Sequence, residues 1–162
     1  QGYDFKILDS VISVNKKQKT IQVPKIESHF KNNLAGKKFA IWGLAFKPET
    51  DDIREAPSID VMKALLEKGA SLTVFDPEAM PNIEKQFGSK LTYATSMYQA
   101  LEGADALIIC TEWSIFRSPS FIKVKDLLKE PVIFDGRNLY QLQEMEAEGF
   151  TYISIGRKEI GQ

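Results

Sequence analysis

Behind a short apolar run the sequence reads Gly43-Leu44-Ala45-Phe46-Lys47-Pro48-Glu49-Thr50-Asp51-Asp52-Ile53-Arg54, which spaces an aromatic ring and two cations along one loop. Such a set suits an anionic ligand that carries a flat ring. Phe46 can pack on the ring, Lys47 can serve as a point charge for phosphate, and Arg54 adds a second cation with a rigid fork. A glycine-rich phosphate turn needs G-x-G-x-x-G for close backbone approach, and here Gly43 stands alone. Dinucleotide binding at this loop is therefore not expected, and the loop is too long to lay a pyrophosphate directly on the next helix N-terminus. The plainer alternative makes Lys47 and Arg54 surface cations paired with Glu49, Asp51, Asp52 or Glu55.

A second candidate is Asp135-Gly136-Arg137-Asn138. Gly136 allows a sharp turn, after which Arg137 could enter the same crevice as Lys47, so that two cations from neighbouring strand ends grip a diphosphate. Local pairing of Arg137 with Asp135 is the alternative. Asp76 falls where a dinucleotide fold keeps its ribose-binding acid, but without the glycine fingerprint it reads as a structural turn residue before Pro77. Asp51-Asp52 could suggest a metal or phosphoacceptor site. That chemistry needs acids at the end of the first strand and an Asp after the third, where Tyr93-Ala94 stands, so a role at a helix start fits better.

Cys110 continues the apolar run Ala106-Leu107-Ile108-Ile109 and reads as a packed small hydrophobe, not a nucleophile. Trp113 and Phe116 read as covers for the end of the sheet. The single histidine, His29, has no second His or nearby Cys to make a metal site or triad. No catalytic residue and no metal ligand is assigned.

The elements that must position these residues follow from periodicity. Phe5, Ile7, Leu8, Val11, Ile12 and Val14 recur at helical spacing, with Lys16, Lys17 and Lys19 near the end where cations suit the helix dipole. Thr20 and Pro24 predict a break, then a short helix over residues 25–31 ending at Asn32-Asn33. From Lys38 onward, β-branched runs alternate with helix-period segments, the signature of βαβ units. Strands are expected at 38–42, 71–75, 91–93, 106–110, 132–134 and 151–154. Helices are expected from Pro57 to a cap at Gly69, and at 81–87, 96–101, 124–129 and 142–148. The expected fold is α/β: a doubly wound, mainly parallel six-stranded sheet preceded by a helical arm, with residues 1–35 as the arm and 36–162 as the domain. In such sheets ligands sit beyond the carboxyl ends of the strands, where both candidate loops fall.

Lys plus Arg number 21 and Asp plus Glu 22, a formal net charge of -1, so no global field draws in nucleic acid or an anionic membrane. One cysteine excludes an internal disulfide framework and suits a reducing, cytoplasmic setting. No apolar run approaches the roughly 20 residues that span a bilayer. A start at Gln1, without an initiator Met and running straight into a helical pattern, gives the expectation of a piece of a longer protein.

Taken together, GLAFKPETDDIR at 43–54, Pro57-Ser58, Thr111-Glu112-Trp113, Asp135-Gly136-Arg137 and, in the arm, Val14-Asn15-Lys16-Lys17-Gln18 resemble the carboxy-terminal domain of the UDP-glucose/GDP-mannose dehydrogenase family. The resemblance implies a Rossmann-like UDP-sugar-binding domain. By position, Phe46 and Lys47 resemble the family's UDP-sugar contacts, Arg137 its second cationic contact, and Arg54 the residue that reaches NAD held mainly by an amino-terminal domain. The family's catalytic cysteine and lysine belong to segments absent from these residues, and Cys110 cannot replace the former, so the chain alone is expected to be inactive. For the whole enzyme the resemblance implies a homodimer that takes UDP-glucose to UDP-glucuronate by two hydride transfers to NAD through a cysteine-bound intermediate. UDP-N-acetylmannosamine or GDP-mannose as substrate, or a free-standing nucleotide-binding module, are the competing expectations. An arm stripped of its partners should show an apolar stripe and tend to self-associate.

Overall fold

The computed structural model describes residues 6–161; the start of the expected arm, at Tyr3 and Phe5, lies outside the described residues. Helix α1 (Lys6–Lys19) carries Lys16, Lys17 and Lys19 in its last turn and buries no residue. Its stripe of Ile7, Leu8, Val11, Ile12 and Val14 faces solvent. The chain breaks at Thr20 and Ile21 as expected, but α2 (Gln22–His29) begins and ends earlier than periodicity predicts. Pro24 does not make the break. It is the third residue of α2, where a backbone N–H has no acceptor within the helix and its loss costs little.

Next come β1 (Lys38–Trp42), α3 (Pro57–Glu67), β2 (Ser71–Phe75), α4 (Met80–Phe87) and β3 (Thr92–Tyr93). They are followed by β4 (Ala106–Ile109), α5 (Phe121–Leu127), β5 (Val132–Asp135), α6 (Leu142–Ala147) and β6 (Thr151–Ser154). The six strands form one sheet in the order β3-β2-β1-β4-β5-β6, with every neighbouring pair parallel. The order reverses between β1 and β4, which opens a crevice beyond their carboxyl ends.

Alternate strand residues feed two cores, as a sheet covered on both faces requires. Phe39, Ile41, Ile108 and Phe134 pack with Ile26 of α2, Val61 and Leu65 of α3, and Ile83 of α4. Ala40, Trp42, Leu107 and Ile133 pack on the other face with Val124 of α5, Met145 of α6 and Phe116. Trp42 and Phe116 stack there at 4.9 Å between ring centroids. Trp113 and Phe116 are buried, so both do cover the end of the sheet.

Beyond α2, two other expected helices differ from the observed ones by more than a residue at an end. The segment 96–101 is reduced to one 3₁₀ turn, Gln99–Leu101. Side chains there compete with the helical ladder: Trp42 Nε1 donates to the Met97 carbonyl at 2.8 Å, and Gln99 Oε1 accepts from the Thr95 N–H at 2.6 Å. Helix α5 starts three residues before the expected 124 because Ser120 caps it, its Oγ accepting from the Lys123 N–H.

Candidate functional site

A crevice of about 820 Å³ opens at the carboxyl ends of β1, β4 and β5 and is walled on its far side by the arm. The sheet contributes Phe46, Cys110, Gly136 and Arg137; the arm contributes Asn15, Lys16, Lys19 and Gln22. Phe46 and Arg137, expected from separate loops, thus meet in one cavity. Lys47 is exposed beside Phe46 but is not a lining residue, and Arg54 lies apart, at a shallower depression with Asp51, Asp52 and Asn82. The two candidate loops are not on neighbouring strands: β4 separates β1 from β5.

The Gly43 loop is held from below by Asp76, which is 1% exposed. Its Oδ2 accepts from the N–H groups of Leu44 (2.7 Å) and Ala45 (3.1 Å) and from Trp113 Nε1 (3.0 Å), while Oδ1 accepts from Glu78 N–H (2.9 Å) and Ala79 N–H (2.8 Å). Five donors on one buried carboxylate leave no lone pair aimed at a ribose, in line with the structural reading of this residue. Ser58 Oγ donates to the Leu44 carbonyl at 2.7 Å, so the loop is also pinned to the first turn of α3. Gly43 is required by space as well as by its φ of +87°: a Cβ there would sit 2.5 Å from Thr111 Cβ.

Arg54 forms the local pair that its neighbours allow. Its Nε and Nη2 donate to the two Asp52 oxygens at 3.0 and 2.8 Å, with the side chain 87% exposed. The Arg54 hydrogen bonds hold the Asp52 carboxyl down at about 2, against an ordinary 3.8.

Arg137 does not turn its side chain to Asp135. The buried Asp135 carboxylate accepts from Arg137 N–H (2.8 Å), Leu139 N–H (2.7 Å) and Tyr152 Oη (2.6 Å), which fixes the backbone of the turn. The Arg137 guanidinium instead donates from Nε and Nη2 to Glu112 at 2.5 and 2.7 Å, with side chains 40% and 23% exposed. Partial burial raises the Glu112 pKa, and the Arg137 hydrogen bonds and charge outweigh it, so the carboxyl stays below its ordinary range. In both arginines a carboxylate holds the Nε–Nη2 side of the fork while the Nη1 end makes no hydrogen bond among the described residues. A phosphate approaching either end-on finds two N–H donors in a fixed plane.

Backbone strain gathers at the same loops: Glu49, Glu55 and Asn138 all have positive φ. Asn138 is compensated by paired hydrogen bonds to the Ile155 backbone at 2.9 Å each.

Cys110 is buried at the crevice floor, where burial pushes its thiol up to about 12, a packed and unreactive group as expected. His29 packs edge-on against Phe30 and Phe134 at the end of α2. Among the described residues no cluster of His, Cys, Asp or Glu could hold a metal ion, and no helix is long and apolar enough to cross a membrane.

Sequence reasoning missed Glu112 as the partner of Arg137. It also missed Gln22, whose Nε2 donates to the Ile109 and Phe134 carbonyls at 3.1 and 3.3 Å and so ties the arm to the ends of β4 and β5. A signal existed for Glu112, as the middle residue of a motif after a strand, and none for Gln22, a polar residue in an amphipathic helix.

The model of the UDP-glucose/GDP-mannose dehydrogenase family, UDP binding domain, matches residues 40–142. The chain is 42% identical over 159 residues to the UDP-glucose 6-dehydrogenase TuaD of Bacillus subtilis, covering 98% of the chain and 34% of that protein. It is 42% identical over 166 residues to the UDP-glucose 6-dehydrogenase of Pseudomonas aeruginosa, covering 99% of the chain and 37% of that protein. The structure of a UDP-glucose dehydrogenase from Pyrobaculum islandicum superposes with a TM-score of 0.75 at 30% identity, over 91% of this chain and 31% of that one. The chain therefore spans about a third of the length of these relatives.

Proposed function

The chain belongs to the UDP-glucose/GDP-mannose dehydrogenase family, and from that premise we propose that it is the UDP-sugar-binding carboxy-terminal part of an NAD-dependent UDP-glucose 6-dehydrogenase. The observation that carries the proposal is the meeting of Phe46 and Arg137 in one crevice at the switch point of the sheet. Phe46 offers a half-exposed ring, 49% accessible, against which the ligand packs. Arg137 offers the open end of its fork to the diphosphate, and Lys47, free of any ion pair or side-chain hydrogen bond among the described residues, swings in as the second cation. Arg54, on the outer face of the same loop, reaches NAD held by the part of the enzyme that precedes this chain.

In this reading the chain binds and orients, and the oxidation of the sugar's C6 alcohol to a carboxylate takes place on residues of the rest of the enzyme. The arm, residues 1–35, belongs with the central dimerisation region, and residues 36–162 form the UDP-sugar domain. The exposed stripe of α1 is the surface that a homodimer or the preceding domains cover. A cytoplasmic setting, where nucleotide sugars and NAD are both present, completes the proposal.

Calorimetry of UDP-glucose against the full-length protein tests it. Lys47→Ala and Arg137→Ala should each weaken binding by roughly 1.5–3 kcal/mol, the worth of a charged hydrogen bond. Unchanged affinity in both variants would remove the site assignment.

A further inference from the structure

Resting on that reading, we propose that Thr111-Glu112-Trp113 is a positioning bracket that sets the separation between the two ligand-gripping loops, one carrying Phe46 and Lys47 and the other Arg137. Strand β4 lies between β1 and β5, so the residues leaving its carboxyl end have one loop on each side. The first and third side chains of the tripeptide hold one loop. Thr111 Oγ1 donates to the Ala45 carbonyl at 2.6 Å, and Trp113 Nε1 donates to the Asp76 oxygen that also receives Leu44 N–H and Ala45 N–H. Both bonds act on the residues immediately before Phe46. The middle side chain, Glu112, holds the other loop by accepting from Nε and Nη2 of Arg137. The Thr111 contact is close enough to exclude any side chain at Gly43, over which Thr111 sits.

Among the described residues the Arg137 side chain has no hydrogen-bond partner other than Glu112. The carboxylate occupies the side of the fork and leaves the end open, so it orients the guanidinium without filling the edge that a diphosphate would use. Glu112 therefore acts on the ligand through Arg137, and Trp113 and Thr111 act through the Phe46 loop. Without the bracket, binding must itself order a long, mobile side chain.

The test is a double-mutant cycle in the full-length protein, with UDP as the probe in calorimetry. Glu112→Gln should raise the Kd for UDP roughly threefold to tenfold, the cost of ordering one flexible side chain on binding. In an Arg137→Ala background the same change should alter the Kd by less than about twofold, because its target is gone. Trp113→Phe should also raise the Kd for UDP, and in steady state both single variants should raise KM for the sugar nucleotide more than they lower kcat. Tighter or unchanged UDP binding by Glu112→Gln overturns the bracket, since the carboxylate then competes with the ligand or ignores it. An equal loss with and without Arg137 also overturns it and points to general damage. In either case a weakened Arg137→Ala leaves the functional reading intact. An Arg137→Ala without effect overturns the bracket, and the functional reading falls with it only if Lys47→Ala is also without effect.

Discussion

Replacing Asp76 by Asn changes one oxygen to an NH2 and leaves the volume alone, so its cost isolates the buried carboxylate. The native group receives two backbone N–H bonds and an indole N–H on Oδ2, and two backbone N–H bonds on Oδ1. An amide has one oxygen. It will turn that oxygen to the three donors from Leu44, Ala45 and Trp113 and set its NH2 against the two from Glu78 and Ala79. Two charge-assisted bonds, each worth about 1.5–3 kcal/mol, are then lost, and the remaining three weaken because their acceptor is neutral. The Glu78 donor is only partly buried and regains water, which recovers part of the loss. A net cost of about 3 kcal/mol results, equivalent to a fall in Tm of about 6–12 °C for a domain of this size. Urea unfolding followed by tryptophan fluorescence, with the slope m compared to confirm that the same surface is exposed, measures it directly. A midpoint indistinguishable from the parent protein would refute the claim that Asp76 organises the Gly43 loop.

Gly43→Ala should destabilise by about 2–4 kcal/mol in the same assay, since it combines a positive φ with a Cβ placed 2.5 Å from Thr111 Cβ. Cys110, with its thiol raised to about 12 by burial, should resist a water-soluble thiol reagent at pH 8 in the native chain and label stoichiometrically in urea; native labelling at the rate of a free thiol would contradict the packing. The Asp52 carboxyl should titrate near 2 by NMR and return toward 3.8 in Arg54→Ala; because its folded pKa is the lower one, the stability it contributes is present above about 3.8 and fades as pH falls toward 2.

How far the sequence foretells this structure depends on what kind of information each feature needs. β1, β2 and β6 are apolar runs bounded by glycines and polar residues, and their observed limits coincide with the expected ones. Helix 96–101 fails because competition from Trp42, more than fifty residues away, is invisible to local periodicity. The candidate site follows the same division. A parallel sheet sends every strand end to one edge, so Phe46 and Arg137, which line one crevice, could be singled out from strand positions alone. Which loops are neighbours needs the strand order, and the presence of β4 between them is what places Glu112, and not Asp135, beside the Arg137 guanidinium. The pairing of Arg54 with Asp52, two residues apart, is local and was among the alternatives that the sequence offered.

The fold's usual anion seat is filled by the chain itself. In a dinucleotide-binding turn the backbone N–H groups of a glycine-rich loop and the next helix N-terminus face the pyrophosphate. Here the Leu44 and Ala45 N–H groups, placed just after the turn glycine, point at the Asp76 carboxylate, and Ser58 Oγ ties the Leu44 carbonyl to the start of α3. An internal anion has taken the place of an external one. Under the proposed function the strand ends would grip a phosphate with side chains, the cations standing further along the loop and on a different strand. Side chains carry more conformational freedom than a backbone nest, and they require partners to hold them in register. The carboxylates of Glu112 and Asp135 meet that requirement for Arg137 by fixing its side chain and its backbone separately. If the proposed function holds, specificity at this edge of the sheet depends on the contacts between loops as much as on the residues that would touch the ligand.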